Sequence, residues 1–576
     1  MPVAHEELMR NHLYKAAPLK AGVLRIVPLG GLEEVGRNMT VFEYENDIVI
    51  VDMGLQFPEE DMPGIDYIIP NVGYLILKRK NIRAVIITHA HYDHIGGIPH
   101  VMPQLGERIP IYATDMTAAY IQKRQEDFKE RPVKLDLRTI TSETKIKLGV
   151  FEVEFFGVAH NVPGSVGVVL HTPVGTILHT GDFKIDLKSD TAGHTDEEKL
   201  KRLAKKGVLL LMSDSTNARE PGHQFSEAEI KMELEEIIKN AGGRLIIGTF
   251  ASILGRLNQI IQLGEKYKKK IVIDGRSMKT STEIGRRLGY IKVNPKTLIP
   301  IEEAHRYPPE KVMMLVTGAQ GEERAVLMRI ANREHRFIQV EPGDTVVFSS
   351  SVVPGNERTV QRLTDQLYRE GADVINYRML DIHAGGHAKQ EDLKTMVNWV
   401  NPKHLMPIEG NHSFLKLHKK AAIEAGFDPK KILIADNGQI VEATKDEVKL
   451  TNERVPATYV FVDGLGVGDV GEVVLRDRQA LAQDGMFVII ALVDSKTGRV
   501  RQDPDIISRG FVYLRESREL VRETKQKVKE IVESSTASSG PVNWTYIRDN
   551  LRERIGQFLF SKTQRRPLVL PVVMEV

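Results

Sequence analysis

The chain has 576 residues, 41% of them hydrophobic and 27% charged, with a formal net charge of +2 and no cysteine. That length exceeds one compact core, so roughly two to four domains are expected, and the composition is that of an ordinary globular protein. Without cysteine there are no disulfides or thiolate metal sites, so any metal must be held by His, Asp or Glu; with charge so nearly balanced, any phosphate-binding surface must be local.

Met1 to Lys20 mixes His, Glu, Arg and Lys and lacks an apolar secretory core, and no apolar run is long enough to span a bilayer, so a cytoplasmic protein is expected. Leu24 to Gly31 reads as a strand ending in a glycine turn, and Asp47 to Gly54 as another. Ala84-Val85-Ile86-Ile87 is a β-type run that delivers Thr88-His89-Ala90-His91-Tyr92-Asp93-His94 into its C-terminal turn. Strands and helical stretches alternate from there to about Ser215, which argues α/β. Glu227 to Asn240 predicts an amphipathic helix with Ile230, Leu234, Ile237 and Ile238 on one face. Short apolar runs at Leu245–Ile247, Ile271–Ile273, Met313–Val316 and Thr345–Phe348, separated by helix-like sequence, suggest a second α/β unit with a parallel sheet. Ile432 to Val448 looks like short strands, and Thr451 to Pro456 like a polar linker. From Tyr459 onward glycines sit among valines, followed by a helix over Ser517 to Ser535, which gives a third, small α+β domain.

The histidine-rich turn points to metal. His89 and His91 are alternate residues, so in extended backbone they face the same way, while Asp93 and His94 turn with the loop toward a second position. Imidazole and carboxylate suit Zn²⁺ or Mn²⁺. A merely polar loop after a buried strand would not need that spacing. His160, after the run Phe151 to Phe156, and Asp182, after Thr176 to His179, are further candidates. Each alone reads as easily as a capped strand-end histidine and a Gly-Asp turn.

The His-x-His-x-Asp-His pattern closely resembles the metallo-β-lactamase superfamily, and His160 and Asp182 match its next two ligand positions. The resemblance implies two divalent ions per subunit, zinc first, with manganese or magnesium as alternatives. It assigns His89, His91 and His160 to one ion, Asp93 and His94 to the other, and Asp182 to both, with Asp52 orienting a ligand histidine. Two ions about 3.5–4 Å apart can clamp an in-line phosphoryl displacement.

More narrowly, the chain resembles bacterial ribonuclease J, of the β-CASP nucleases, nearly end to end. The motifs are Leu29 to Asn38, Met212 to Asn217, Thr249 to Ser252, Asp274 to Met278, Thr317 to Glu322, Phe348 to Ser351 with Pro354 to Glu357, His383-Ala384-Gly385-Gly386-His387-Ala388, Val462 to Gly471 and Asp505 to Val512. The family fold implied is a metallo-β-lactamase αββα sandwich (1–222 and 377–450) with an inserted β-CASP α/β domain (223–376). A linker (451–460) and a small C-terminal α+β domain (461–576) complete it. The resemblance places an RNA phosphate pocket at Ser252, Ile253 and Leu254 with His383, Ala384, Gly385, Gly386 and His387, where backbone N–H groups can approach phosphate beside glycine. Asp93, Asp182, His383 and His387 are its catalytic candidates, the histidines as donors to phosphate or to a leaving 3′ oxygen.

Two positions depart from the family pattern. Gly385 stands where the family usually has Ser, and Glu409, in Pro407-Ile408-Glu409-Gly410, where it has the His of Pro-x-His-Gly-Glu. Either Glu409 substitutes as a metal ligand, or His412 reaches in, or the second site is weakened; a working two-metal site with Glu409 as ligand is the expectation. The leading function is a ribonuclease acting on RNA 5′→3′ from monophosphorylated ends and also internally, in mRNA decay and rRNA maturation. A homodimer or homotetramer, and contact with an RNA-degradation complex or the ribosome, are implied. The alternatives are a weakly active structural partner of a paralogue, which the changes at 385 and 409 motivate, and a small-molecule metallo-hydrolase, which the phosphate pocket argues against.

Overall fold

A computed structural model describes residues 18–106, 108–128, 133–186, 193–322, 324–350, 352, 356–376, 385–536 and 543–576. Two apolar sheets face one another. The first runs, in spatial order, Val448–Arg454, Gln439–Ala443, Leu24–Gly30, Met39–Tyr44, Asp47–Val51, Ile82–Ile86, Pro110–Thr114 and Asp136–Ile140. The second runs His404–Ile408, Leu210–Asp214, Gly175–His179, Val166–Thr172, Phe151–Gly157 and Lys145–Leu148. Their inner side chains, among them Ile26, Phe42, Val51 and Ile86 against Phe155, Val168, Ile177 and Met406, form one buried cluster. The outer face of the second sheet is covered by the helices Glu197–Lys206, Gln390–Val400 and His412–Glu424 through Phe156, Leu178, Leu200, Met396 and Ala422. Strands buried on both faces need no polar alternation, so these runs read as continuously apolar.

The chain leaves this sandwich after Asp214. Glu227–Asn240 is a helix, opened by a capping box between Ser226 and Glu229, and it buries Ile230, Leu234 and Ile238. A five-stranded sheet follows, all parallel, in the order Lys270–Asp274, Val312–Val316, Leu245–Gly248, Thr345–Phe348 and Asp373–Asn376. Sandwich and inserted lobe share one apolar cluster in which Ala90, Met116 and Val162 meet Ile230, Leu254 and Leu257. The chain then returns: His404–Ile408 pairs in parallel with Leu210–Asp214. Residues 451–454, expected in a linker, instead belong to the strand Val448–Arg454, paired antiparallel with Gln439–Ala443. Alternating polar side chains masked an edge strand with one wet face.

The C-terminal unit comprises residues 57–68 and 460–576. Its central strand Met486–Val493 pairs antiparallel with Asp505–Arg509 and parallel with Leu568–Glu575. Two helices, Arg518–Thr536 and Trp544–Thr563, cover one face, where Phe487, Ile489, Val528, Ile531, Leu551, Leu559 and Val569 are buried together. The recruitment of residues 57–68 was not foreseen in the sequence; it rests on Asp66, whose N–H donates to the Val462 carbonyl at 2.9 Å and whose carboxylate accepts from the Gly464 N–H at 2.8 Å. Among the described residues no helix is long and apolar enough to cross a membrane.

Candidate metal centre

Two parallel strands of the first sheet and three of the second deliver most of the site at their carboxyl ends, and His160 follows Phe151–Gly157. Asp47–Val51 presents Asp52, Ile82–Ile86 presents residues 88–94, Gly175–His179 presents Asp182, Leu210–Asp214 ends on Asp214, and His404–Ile408 presents Glu409. Clefts at the carboxyl ends of parallel strands are a common place for ligands in α/β folds.

His89, His91, His160 and Asp182 each offer one donor atom, and these atoms all lie within 4.8 Å of one another; the same holds for Asp93, His94 and Asp182. In the first group the His91 Nδ1 is 3.1 Å from both the His89 Nε2 and the His160 Nε2. Asp182 joins the groups, its Oδ2 being 3.3 Å from His89 Nε2 and its Oδ1 3.3 Å from His94 Nε2. The far nitrogens are tied off. His94 Nδ1 is 2.8 Å from Asp52, His160 Nδ1 is 2.7 Å from the Gly386 carbonyl, and His89 Nδ1 is 3.1 Å from the Thr88 hydroxyl, which itself reaches Asp52. Such partners fix ring orientation and leave the other nitrogen toward a metal. Gly386 must be glycine here, because a Cβ would stand 2.5 Å from His160 Cε1 and 2.7 Å from the Asn161 amide.

The electrostatics suit a cation. Burial and the neighbouring His89 push His91 down to about 3, and burial holds His160 well below its ordinary value, which favours neutral rings able to serve as ligands. Burial works against charge on His94, but Asp182, Asp93 and Asp52 outweigh it and hold its pKa well above the usual imidazole range. His387 behaves similarly: burial opposes its charge, yet Asp214, at 2.9 Å, and Asp182 raise it to about 9. The two carboxylates thus favour the protonated form of His387.

Glu409 lies within this edge. It is 5% exposed, neither carboxylate oxygen has a hydrogen-bond donor, and its backbone is left-handed with φ of 57°. Burial and the adjacent Asp182 carboxylate push its pKa well above the ordinary range. A donor atom of Glu409 is within 4.8 Å of donor atoms of Asp52 and His94. Asp52 shares the left-handed geometry, with φ of 63°. Two acidic side chains held in a region that favours glycine are a strain that functional sites retain. His412 points elsewhere: it is exposed, and its Nδ1 meets Glu33 at 2.7 Å. An all-nitrogen-and-oxygen donor set with an orphaned buried carboxylate fits one or two divalent ions.

At the expected phosphate pocket, His383 and Ala384 lie outside the described residues. Ser252 is half-buried in the turn before the helix Leu254–Lys266. Ile253 and Leu254 bury their side chains, and their N–H groups already bond the carbonyls of Phe250 and Ser252. What this corner can offer a ligand is thus the Ser252 hydroxyl rather than those two residues. A Cβ on Gly385 would stand 2.7 Å from the Gln224 amide nitrogen, which donates to the His387 carbonyl at 2.9 Å. Gln224 occupies the room a serine would need. Asp214 lies in the Met212 to Asn217 motif, which carried no site role for it, and Gln224 lies in none; only the packing joins them to His387.

Four family models match in sequence: a beta-lactamase superfamily domain at 70–241, the ribonuclease J beta-CASP domain at 242–367, a Zn-dependent metallo-hydrolase RNA specificity domain at 374–434 and the ribonuclease J C-terminal domain at 473–576. Ribonuclease J2 of Bacillus subtilis (strain 168) is 37% identical over 96% of this chain and 99% of its own length. Ribonuclease J of Thermus thermophilus is 39% identical over 96% of this chain and 95% of its own. A solved structure of a protein of unknown function from Enterococcus faecalis V583 superposes with a TM-score of 0.53 at 17% identity, over 74% of this chain and all of its own, a likeness of fold alone. Sandwich, inserted lobe and C-terminal domain are those of a metallo-β-lactamase-type nuclease, and the chain belongs to the ribonuclease J family.

Proposed function

We propose that this chain hydrolyses RNA phosphodiesters at a two-metal centre, 5′→3′ from monophosphorylated ends and also internally, in cytoplasmic mRNA decay and rRNA maturation. Family membership carries the metal-dependent RNA nuclease; the reading of this site adds the rest. The observation that supports it most is Asp182, with one oxygen toward the His89 group and the other toward His94. His89, His91, His160 and Asp182 would hold one ion, and Asp93, His94, Asp182 and Glu409 the other, with zinc first and manganese or magnesium as alternatives. Bound there, the ions would polarise the phosphodiester and lower the pKa of the attacking water. The chain's own part is positioning and proton supply. Asp52, Thr88 and the Gly386 carbonyl orient the imidazoles, and His387, kept protonated by Asp214, stands ready to give its proton to the leaving 3′ oxygen. Half-buried His91, Asp93 and His387 mark the open side through which RNA enters.

The phosphate pocket expected at Ser252 with Gly385, Gly386 and His387 would favour a 5′ monophosphate, because two further phosphates need both room and compensating charge. Purified protein with metal content measured by mass spectrometry is expected to degrade 5′-monophosphorylated RNA about tenfold or more faster than the triphosphorylated form. Equal exonucleolytic rates on the two RNAs would rule out this pocket. The changes at 385 and 409 support a second reading, a weakly active partner of a paralogue; a full metal complement with no RNA turnover by the protein alone would establish it.

The same proposal includes a homodimer or homotetramer, and through it contact with an RNA-degradation complex or ribosome. The terminal run Leu568 to Met574 buries only one side. Val569 and Pro571 turn inward, while Leu570, Val572 and Met574 are exposed, as is Ile507 two strands away in the same sheet. The helix Glu472–Asp484 buries no residue and leaves Val473, Val474 and Leu481 exposed. Apolar faces of this kind usually meet a partner. L570E/M574E is expected to shift the particle from dimer to monomer in light scattering, with the inward-facing core untouched. A monomer for the unaltered chain at micromolar concentration refutes this assembly. A truncation serving the same purpose belongs after Tyr459, because Asn452 lies inside the strand Val448–Arg454.

A further inference from the structure

Three buried charges bridge the metal-bearing sandwich and the inserted lobe, and none of them touches the ligand set. Lys184, two residues past Asp182, is 0% exposed. Its N–H donates to the carbonyl of Ala159, the residue before His160, at 2.8 Å. The Thr195 hydroxyl then ties the Lys184 carbonyl, at 2.6 Å, to the Ala159 N–H, at 3.0 Å. The backbone of Lys184 thus ties its own segment, which carries Asp182, to the segment that carries His160. Its ammonium reaches out and donates to Glu227 Oε1 at 3.0 Å. Glu227 is the first residue of the helix Glu227–Asn240, the element that opens the inserted lobe. The same carboxylate accepts from Arg256, whose Nη2 lies 2.9 and 3.0 Å from its two oxygens. Arg256 is also fully buried and sits in the first turn of Leu254–Lys266, the helix that follows Ser252. Asp186 adds a second link from the sandwich, accepting from the Ser226 hydroxyl and from the Glu227 N–H, each at 2.9 Å.

We propose that Lys184, Glu227 and Arg256 form a positioning clasp that sets the distance between the metal centre and the Ser252 corner, and so determines how strongly cleavage depends on the RNA 5′ end. The inference rests on the pocket reading given above. Adhesion between the lobes is already supplied by the apolar cluster around Ala90, Met116, Val162, Leu254 and Leu257, and hydrophobic contact has no direction. Buried ion pairs are often replaceable by packed apolar side chains without loss of stability. What the charges add is geometry: a bidentate guanidinium–carboxylate pair fixes distance and angle together. Lys184, Asp186, Glu227 and Arg256 also sum to zero charge, so the clasp closes without an unpaired ion. Exonucleolytic removal of a nucleotide requires the 5′ phosphate to be seated while the next phosphodiester lies at the metals. A shift of one lobe against the other breaks that coincidence and leaves the metal centre itself intact.

The test compares three substrates on the metal-loaded full chain: a small phosphodiester, bis(p-nitrophenyl) phosphate; a circular RNA, which has no 5′ end; and linear RNA carrying either a 5′ monophosphate or a 5′ hydroxyl. Glu227→Asp keeps the charge and withdraws it by one methylene. It is expected to leave the small phosphodiester and the circular RNA within about twofold of wild type. On 5′-monophosphorylated RNA it is expected to raise KM and lower kcat/KM by about tenfold or more, so that the preference over the 5′ hydroxyl collapses. The variant K184M/D186N/E227L/R256M, which removes all four charges together and keeps an oxygen at 186 to accept from Ser226, should show the same split and serves if Glu227→Asp does not fold. Parallel loss on all substrates, or an unchanged 5′ preference in either folded variant, overturns the clasp. A wild-type chain without any 5′ preference overturns the pocket reading first, and the clasp with it, before any variant is measured.

Discussion

Asp182→Asn is expected to abolish RNA cleavage while leaving the chain folded. Among the described residues Asp182 is shared by both groups of candidate ligands, with Oδ2 3.3 Å from His89 Nε2 and 3.6 Å from His160 Nε2, and Oδ1 3.3 Å from His94 Nε2. Burial favours the neutral acid, but His94, His387 and His89 around it hold its carboxyl well below the usual range. An amide of the same shape removes that charge and offers one oxygen where two are needed, so neither ion is held in place. A loss of at least about 10³-fold in kcat/KM is expected, as for removal of a group shared by a two-metal clamp. His91→Ala should act similarly, since its Nδ1 is 3.1 Å from both other imidazoles of its group. Because His91 is only half-buried, its loss empties the site rather than the core. Circular dichroism and thermal melting check the fold, and mass spectrometry counts the metal. Either variant turning over RNA at a near wild-type rate with a full metal complement would sink the two-metal assignment.

How much of this site could be read in the sequence depended on whether one strand and its turn carried the chemistry. Residues 89–94 follow one strand and run from its turn into the short helix Tyr92–Ile95, so their spacing alone points to candidate ligands, and the helix Glu227–Asn240 announces itself through its 3.6-residue apolar period. The parallel sheet of the inserted lobe was legible because strands buried on both faces are continuously apolar. Pairings between distant segments were not. Asp214 meets His387 across 173 residues, and Glu227 meets Lys184 across 43. A lone lysine after Gly-Asp or a glutamate at a helix start reads as an ordinary solvated charge. The strand Val448–Arg454 was hidden for a related reason. Its sequence, VKLTNER, is polar enough for a linker, and only its antiparallel register with Gln439–Ala443 makes it structure.

Glu409 is where the family pattern and this chain part, and its variants are expected to separate occupancy from fold. The strand His404–Ile408 runs parallel to Leu210–Asp214, so the residue after it lands beside the ligand loops whatever its identity. Here that residue is a carboxylate without a donor to either oxygen, facing Asp182. Two facing carboxylates can share a hydrogen bond only if one keeps a proton, which is why burial and Asp182 push Glu409 well above the ordinary range. A divalent ion resolves the conflict by replacing the proton, so metal uptake should release protons and strengthen as pH rises. A third carboxylate beside Asp93 and Asp182 should also favour the harder ions, manganese or magnesium, relative to zinc. Glu409→Gln is expected to lower the content from about two ions per chain to about one and to reduce RNA cleavage at least about a hundredfold. Glu409→His should restore much of both and shift the preference back toward zinc. His412→Ala should do little, because His412 is exposed and paired with Glu33. Metal analysis on the three variants decides the matter: a harmless Glu409→Gln with an inactivating His412→Ala would mean that the second ion is held from the other side of the turn.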